Sequence, residues 1–251
     1  MRVMTINARY INDFDKYPWS SRKTVIKDMI EEYNPDLIGF QEIMEGHFNY
    51  LTSVFRDKYY YYGEYRDFND PSAEMNMIFV KKDKFEIISS DTIWLSENPN
   101  EKYSIGWDAD LARVLSYVKI INLLNKKTLY FLNTHFDHAG EQARINSAKL
   151  AIDLIKELNE TIIFTGDFNT TPKHGYINTL LKSDILDNSY NHLEDKENSL
   201  TIHNFSGEIK GEPIDYIFAT KDMKIVNCEI IRYQKKGVFS SDHYHVLVDF
   251  E

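Results

Sequence analysis

The side chains best suited to chemistry sit where apolar runs end. Ile6 is followed by Asn7, and Ile38-Gly39-Phe40 runs into Gln41-Glu42. Tyr130-Phe131-Leu132 leads into Asn133-Thr134-His135-Phe136-Asp137-His138, and Ile162-Ile163-Phe164-Thr165-Gly166 into Asp167-Phe168-Asn169. Asp215 opens Tyr216-Ile217-Phe218, and Ser241-Asp242-His243 stands just before the last apolar run. Side chains at the ends of separate strands can converge, and α/β sheets hold their ligands there. The residue types suit one chemistry. Glu42, Asp242 and Asn7 offer the hard oxygen atoms that Mg²⁺ takes together with substrate phosphate. His135 and His243 can donate hydrogen bonds to a phosphate. Asp167 can take a proton from a water that Asn169 orients.

Each group also has a structural reading. Asp167-Phe168-Asn169 makes a good turn, Gln41-Glu42 an exposed strand end, and Ser241-Asp242-His243 a turn cap. Their recurrence at successive strand ends argues for a shared site. Arg113 either clamps a phosphate or pairs with Asp108 or Asp110. Trp107 suits a pocket mouth or a core position, and His138 a cleft or a helix start. His203 is expected in a structural hydrogen bond and Cys228 in the core. Tyr59 to Tyr62, with Tyr65, can stack on bases, but packing as an aromatic strand or loop against a helix is the expectation.

These residues need a frame. Val3–Ile6 reads as a strand. Val25, Ile26, Met29, Ile30 and Tyr33 fall at helical spacing within 21–33, with Ser20 or Ser21 as N-cap and Asn34-Pro35 as the stop. A strand over Asp36–Phe40 and a helix over Glu45–Phe55, burying Phe48, Leu51 and Phe55, come next. Strands are then predicted at Asn76–Val80, Glu86–Leu95, Arg113–Ile121 and Thr128–Thr134, the last two a hairpin through the polar turn Asn125-Lys126-Lys127. A βαβ unit follows. Its helix, Glu141–Leu158, buries Ile145, Ala148, Ile152, Ile155 and Leu158, and its second strand is Thr161–Thr165. A short helix near Tyr176–Leu181 and strands at Asp215–Ala219, Met223–Arg232 and His245–Phe250 complete the reading. Helices early and late, with long β stretches between, fit two sheets packed face to face with helices outside better than one doubly wound sheet.

The 251 residues are 43% hydrophobic and 27% charged, a globular composition without linker or repeat, read as one domain over 1–251. One cysteine allows no internal disulfide. The net charge of −10 makes long duplex nucleic acid a less natural partner than a small anion held by a metal. No apolar run reaches the roughly 20 residues of a membrane span. No basic-then-apolar leader precedes the first strand, so a cytoplasmic monomer is expected, or a secreted one if a leader has been removed.

The same residues form motifs. Thr5-Ile6-Asn7, Gly39-Phe40-Gln41-Glu42, Asn133-Thr134-His135-Phe136-Asp137, Gly166-Asp167-Phe168-Asn169, Ile214-Asp215-Tyr216-Ile217 and Ser241-Asp242-His243 resemble, in order and over nearly the whole chain, those of the endonuclease/exonuclease/phosphatase superfamily, which shares the deoxyribonuclease I fold. Trp94-Leu95-Ser96-Glu97, Gly106-Trp107-Asp108 and the Asn133–Gly140 run with Ala143-Arg144 and Ser147-Ala148 resemble its bacterial metal-dependent hydrolase group.

The resemblance implies an α/β (α+β) four-layer α/β/β/α sandwich of two packed mixed β-sheets with helices on the outer faces. It implies a Mg²⁺-dependent (or Mn²⁺-dependent) phosphoesterase acting by in-line attack of an activated water. Glu42 would be the principal metal ligand, with Asn7 and Asp242 beside the metal. Asp167 would activate water, with Asn169 orienting it. His135 and His243 would flank the phosphate, paired with Glu74 and Asp215 respectively. Arg113, Asp137 and Trp107 are the candidate substrate contacts. The substrate would be a phosphorylated small molecule or oligonucleotide, as mono- or diester. A nuclease on short or single-stranded nucleic acid, or a silent binding module on the same fold, is the alternative. The chain departs from the pattern at His245, where relatives often carry proline, and at Glu212-Pro213, where many carry a basic or histidine residue.

Overall fold

The computed structural model describes residues 1–68, 70, 72–173, 180 and 183–251. It contains two six-stranded sheets and a small two-stranded ribbon. The first sheet is built from β1 (Arg2–Asn7), β2 (Leu37–Ile43), β3 (Tyr59–Tyr62), β4 (Met75–Lys81), β11 (Ile225–Ile231) and β14 (His245–Phe250), in the order β11-β14-β1-β2-β4-β3. The second holds β5 (Phe85–Trp94), β6 (Val114–Asn122), β7 (Thr128–His135), β8 (Ile162–Asp167), β9 (Leu186–Asn188) and β10 (Asp215–Thr220), in the order β5-β6-β7-β8-β10-β9. β12 (Gln234–Lys235) and β13 (Val238–Phe239) form the ribbon.

Each sheet has one parallel pair, β1–β2 and β7–β8, and every other pairing is antiparallel. A parallel pair needs a crossover. Helix α1 (Trp19–Tyr33) supplies the first and α3 (Glu141–Leu158) the second. With α2 (Glu45–Phe55) they give the expected layers. One apolar cluster joins Met4, Ile6, Ile38 and Phe40 to Ile26 and Met29 of α1 and Leu51 and Phe55 of α2. A second packs Leu132, Phe164 and Phe218 against Ala148, Ile152 and Ile155 of α3. Between the sheets lie Val3, Leu37, Phe131, Ile163, Ile217 and Val246.

Several local expectations are revised. Helix α1 starts earlier, with Pro18 as N-cap and no side-chain cap; Ser21 Oγ bonds back to Pro18 O at 2.8 Å. Its C-terminus is as expected, Asn34 being left-handed ahead of Pro35. Phe48, Ile145 and Leu158 are only partly buried. The four tyrosines form edge strand β3, with Tyr59 stacked on Phe79 and its hydroxyl donating to Pro35 O. Strands β3, β9, β12 and β13 are too short or too polar to show a period of two. The helix expected over 176–181 lies outside the described residues, Leu180 excepted.

Alternation along the strands positions the site. Side chains two apart share a face, so the rows that line the inter-sheet core continue to the strand ends. Val3 leads to Thr5 and Asn7, Leu37 to Gly39 and Gln41, Phe131 to Asn133 and His135, and Ile163 to Thr165 and Asp167. Those rows turn from apolar to polar. Asn133 bridges the sheets, its Nδ2 donating to Phe40 O (2.7 Å) and Met77 O (3.1 Å) and its Oδ1 accepting from Gln41 Nε2 (2.6 Å) and Thr165 Oγ1 (3.1 Å). The sheets approach so closely that a Cβ on Gly39 would stand 2.1 Å from Thr165 Oγ1.

Candidate active site

At the polar end of the inter-sheet core lies a cleft of about 370 Å³. His135, Asp167 and Asp215 form a row across β7, β8 and β10, each in register with its neighbour. Asn7 ends β1 opposite them and donates its amide to Asp167 Oδ2 and Glu42 Oε1, both at 2.9 Å. Glu42 reaches the cleft by a break in alternation. By parity it belongs with Ile38 and Phe40 on the helix-facing side. The β2–β4 register shifts between Phe40 and Ile43, and Glu42 takes φ 61°, so the side chain turns toward the cleft. Tyr10 N–H then holds Glu42 Oε2 at 2.7 Å.

The two histidines differ. His243 is buried, and its Nδ1 lies 2.9 Å from Asp215 Oδ2. Burial alone would lower its pKa, but the charge and hydrogen bond of Asp215, with Asp242 and Asp167, outweigh that and raise it to about 10. It is an imidazolium at neutral pH. Burial, together with Arg113 and Arg66, instead holds His135 well below its ordinary value, so it is neutral. Its Nε2 lies 3.0 Å from Asn169 Nδ2, which also donates to Phe136 O. Asn169 Nδ2 donating to that nitrogen requires the Nδ1–H tautomer of His135.

Asp167 is raised to about 7, first by burial and then by Asp215, against the pull of His243, the Asn169 N–H and Asn7. Asp242 is also raised, by burial and by Glu42. Glu74 is raised to about 7 by burial and by Glu42. Carboxylates and cations meet in the cleft, Glu42, Glu74, Asp167 and Asp242 beside Arg9, Arg66, Arg113 and His243. A Glu42 oxygen, an Asp167 oxygen and a His135 nitrogen lie within 4.8 Å of one another.

Most of the expected residues converge: Glu42, Glu74, Arg113, His135, Asp167, Asn169, Asp242 and His243 line this cleft, and Asn7 and Asp215 bond to its lining carboxylate and imidazole. Three expectations are revised by the contacts, while Asn7 stands, as expected, against the carboxylates of the candidate metal site. Glu74 pairs with Arg66 at 2.9 Å, and no hydrogen bond joins it to His135, whose Nδ1 has no partner among the described residues. The Asn7 oxygen accepts Arg9 N–H while its amide bridges two carboxylates. Asp137 is buried away from the cleft. It takes Arg113 Nε at 3.2 Å and the N–H groups of Asp110, Ala139 and Gly140, so Arg113 pairs with neither Asp108 nor Asp110. Trp107 does not line the cleft, and its neighbour Asp108 caps α3 by accepting from Gln142 and Ala143 N–H.

Arg9, Tyr10 and Arg66 line the cleft without a sequence signal, since no periodicity governs the loops that carry them. His138 lines it too, with Nδ1 3.0 Å from Arg113 Nη2. Glu212 is neutralised by Lys173 at 3.2 Å. His245 is buried against Ser240 Oγ at 2.8 Å, and His203 stacks on Tyr244. No helix among the described residues is long and apolar enough to cross a membrane.

Residues 4–243 match the sequence model of the endonuclease/exonuclease/phosphatase family. An endonuclease/exonuclease/phosphatase structure from Bacteroides vulgatus superposes with a TM-score of 0.92 at 33% identity, covering 100% of this chain and 98% of that one. The mannosyl-6-phosphatase of Bacteroides thetaiotaomicron superposes with a TM-score of 0.91 at 29% identity, over 100% and 99% of the two chains. An uncharacterized protein of Acanthamoeba polyphaga mimivirus is 25% identical over 276 residues, covering 100% of both chains.

Proposed function

We propose that this chain, which belongs to the endonuclease/exonuclease/phosphatase family, is a Mg²⁺-dependent phosphoesterase that hydrolyses a small phosphorylated molecule. The observation that carries the reading is the convergence of Glu42, Asp167 and His243, from three separate segments, on one cleft. The donor set suits a hard divalent cation such as Mg²⁺ or Mn²⁺: carboxylate oxygens of Glu42 and Asp167 lie close together, with Asp242 near enough to Glu42 to feel its charge. Glu42 would hold the ion with Asp242 beside it, and Asn7 would keep Glu42 in place. Such an ion, when bound, offsets charge on the phosphate and on the leaving oxygen.

The chain's own groups divide the remaining work. Asp167, with a pKa of about 7, is suited to take a proton from an attacking water near neutral pH. Its two oxygens are steadied by Asn7 Nδ2 and by Asn169 N–H. The His243 imidazolium donates to a phosphoryl oxygen, a bond that strengthens as charge develops. Asp215 holds that ring in orientation. Neutral His135 orients Asn169. Arg66 and Arg113 add positive charge to the wall around Glu74.

The cleft is of the size that takes a small ligand. That supports a phosphorylated metabolite over a long nucleic-acid strand, and the likeness to a mannosyl-6-phosphatase points to a sugar phosphate. The test measures phosphate release from mannose 6-phosphate and p-nitrophenyl phosphate, p-nitrophenol release from bis-p-nitrophenyl phosphate and cleavage of a single-stranded oligonucleotide, with Mg²⁺, Mn²⁺ or EDTA. Metal-dependent turnover of a monoester is expected. A folded protein that turns over none of them would be a binding module, and turnover of the oligonucleotide alone would make it a nuclease.

A further inference from the structure

Arg22 is fully buried in the first turns of α1, and no carboxylate forms an ion pair with it among the described residues. Its hydrogen bonds go to backbone carbonyls. Nε donates to Tyr17 O at 2.8 Å, Nη1 to Ala8 O at 2.6 Å and Ser240 O at 3.2 Å, and Nη2 to Arg9 O at 3.1 Å. The rings of Trp19 and Phe205 lie 5.6 and 5.9 Å from the guanidinium. In sequence Arg22 interrupts the apolar stripe that continues through Ile26 and Met29. A buried charge without a counter-ion is costly, and an apolar side chain on that stripe would stabilise the helix contact more simply.

Three of the four carbonyls it grips, those of Ala8, Arg9 and Ser240, belong to the two segments that frame the proposed cation site. Ala8 and Arg9 follow directly on Asn7, and the next residue, Tyr10, fixes Glu42 Oε2 through its N–H. Ser240 stands two residues before Asp242. The segments also meet directly, Arg9 Nη1 lying 3.5 Å from Asp242 Oδ2. One guanidinium therefore sets the spacing of the loop behind Glu42 against the loop that carries Asp242.

We propose that Arg22 is a positioning residue for the metal site, fixing the separation of Glu42 and Asp242 by clamping the backbone of both loops. The inference rests on the metal-dependent reading above. A lysine keeps the charge but cannot span three loop carbonyls, because it lacks the planar fork.

The experiment compares wild type with R22K and R22M. Mn²⁺ affinity is measured by calorimetry and by the electron paramagnetic resonance signal of free Mn²⁺, on protein shown to be folded by circular dichroism. Folded R22K should bind Mn²⁺ roughly 10–100-fold more weakly, the range seen when groups behind a metal's ligands are removed. Its kcat should recover most of the loss at saturating Mn²⁺. A purely structural clamp would lower the melting temperature yet leave the Mn²⁺ affinity of the folded protein unchanged, and that result overturns the proposal. If neither variant folds, the wild-type protein decides. The Nε–H resonance of Arg22 should shift on Mg²⁺ addition with the same midpoint as Mg²⁺ binding, and an unmoved resonance overturns the proposal. Failure of the wild type to bind Mn²⁺ overturns the metal reading and this inference with it, whereas wild-type-like binding by R22K overturns this inference alone.

Discussion

Asp167 and Asp215 face each other directly across the antiparallel β8–β10 pair, and a single imidazole serves both. His243 Nδ1 lies 2.9 Å from Asp215 Oδ2 and 3.9 Å from Asp167 Oδ2. Like charges opposite one another on a sheet repel. The imidazolium offsets part of that repulsion; burial, and then what remains of the repulsion, raises the pKa of Asp167. The arrangement separates the carboxylates by role. Asp215 is committed to the histidine, and Asp167 is left poised to exchange a proton.

That division predicts coupling. His243→Ala should lower kcat by roughly 10²–10³-fold, the usual loss for one donor to a developing oxyanion. Asp215→Asn should slow turnover more than it weakens substrate binding, since the hydrogen bond it supports matters most in the transition state. Added to His243→Ala, it should cost little more, because the two act as a unit. A double-mutant cycle on kcat/KM at saturating Mg²⁺ reads this out, and fully additive losses would place Asp215 in another role.

Glu42→Gln removes one charge and keeps the shape. A neutral amide is a poor ligand for a hard cation, so kcat/KM at limiting Mg²⁺ should fall at least ~100-fold. The melting temperature without metal should stay close to wild type, because Glu42 bonds only at the cleft edge. Unchanged activity at limiting Mg²⁺ would remove Glu42 from the metal site.

The ends of the apolar runs make much of this site legible from the sequence, and parity explains why. His135, Asp167 and Asp215 continue rows whose inward face is already declared by Phe131, Ile163 and Ile217. Glu42 stands on the wrong parity, and only its place at the end of an apolar run and its motif point to it, since a bulge and a left-handed residue leave no periodic trace. The partner of His135 was misread for a similar reason. Glu74 lies close in the motif order, but Arg66, eight residues earlier in an aperiodic loop, captures it. The four-layer fold follows from local patterns because each layer rests on its own helix or strand period. The pairing of buried charges depends on which loops meet in space.

The close approach of the sheets gives a stability prediction. Gly39→Ala would drive a methyl group into Thr165 Oγ1 and Asn133 Oδ1, the second of which accepts the inter-sheet bond from Gln41 Nε2. Overpacking commonly costs 1–3 kcal/mol, and loss of the buried polar bridge adds to it, so urea denaturation should show a destabilisation of about 3 kcal/mol or more. A loss below about 1 kcal/mol would mean that the sheets separate there more readily than their contacts imply.

The last prediction concerns acid. His47 is completely buried against Trp19, with ring centroids 4.2 Å apart, and its Nδ1 accepts Met44 N–H. Burial, and then the charge of Arg22, lowers its pKa to about 3. The unfolded value is near 6.5. Because the folded value is the lower one, the unfolded chain binds the extra proton first. The contribution is therefore fully present above pH ~6.5 and is lost as the pH falls toward ~3, at about 1.4 kcal/mol per pH unit between those limits. Buried His245, lowered to about 3, and His203, lowered to about 4, act in the same direction, so the wild-type curve sums several groups. A difference measurement isolates one of them. In His47→Gln the side chain binds no proton in either state, and its oxygen can accept Met44 N–H. The gap between wild-type and variant unfolding free energies should close by about 1.4 kcal/mol for each pH unit from 6 down to 4. Parallel curves over that range would show that His47 takes up its proton within the folded protein.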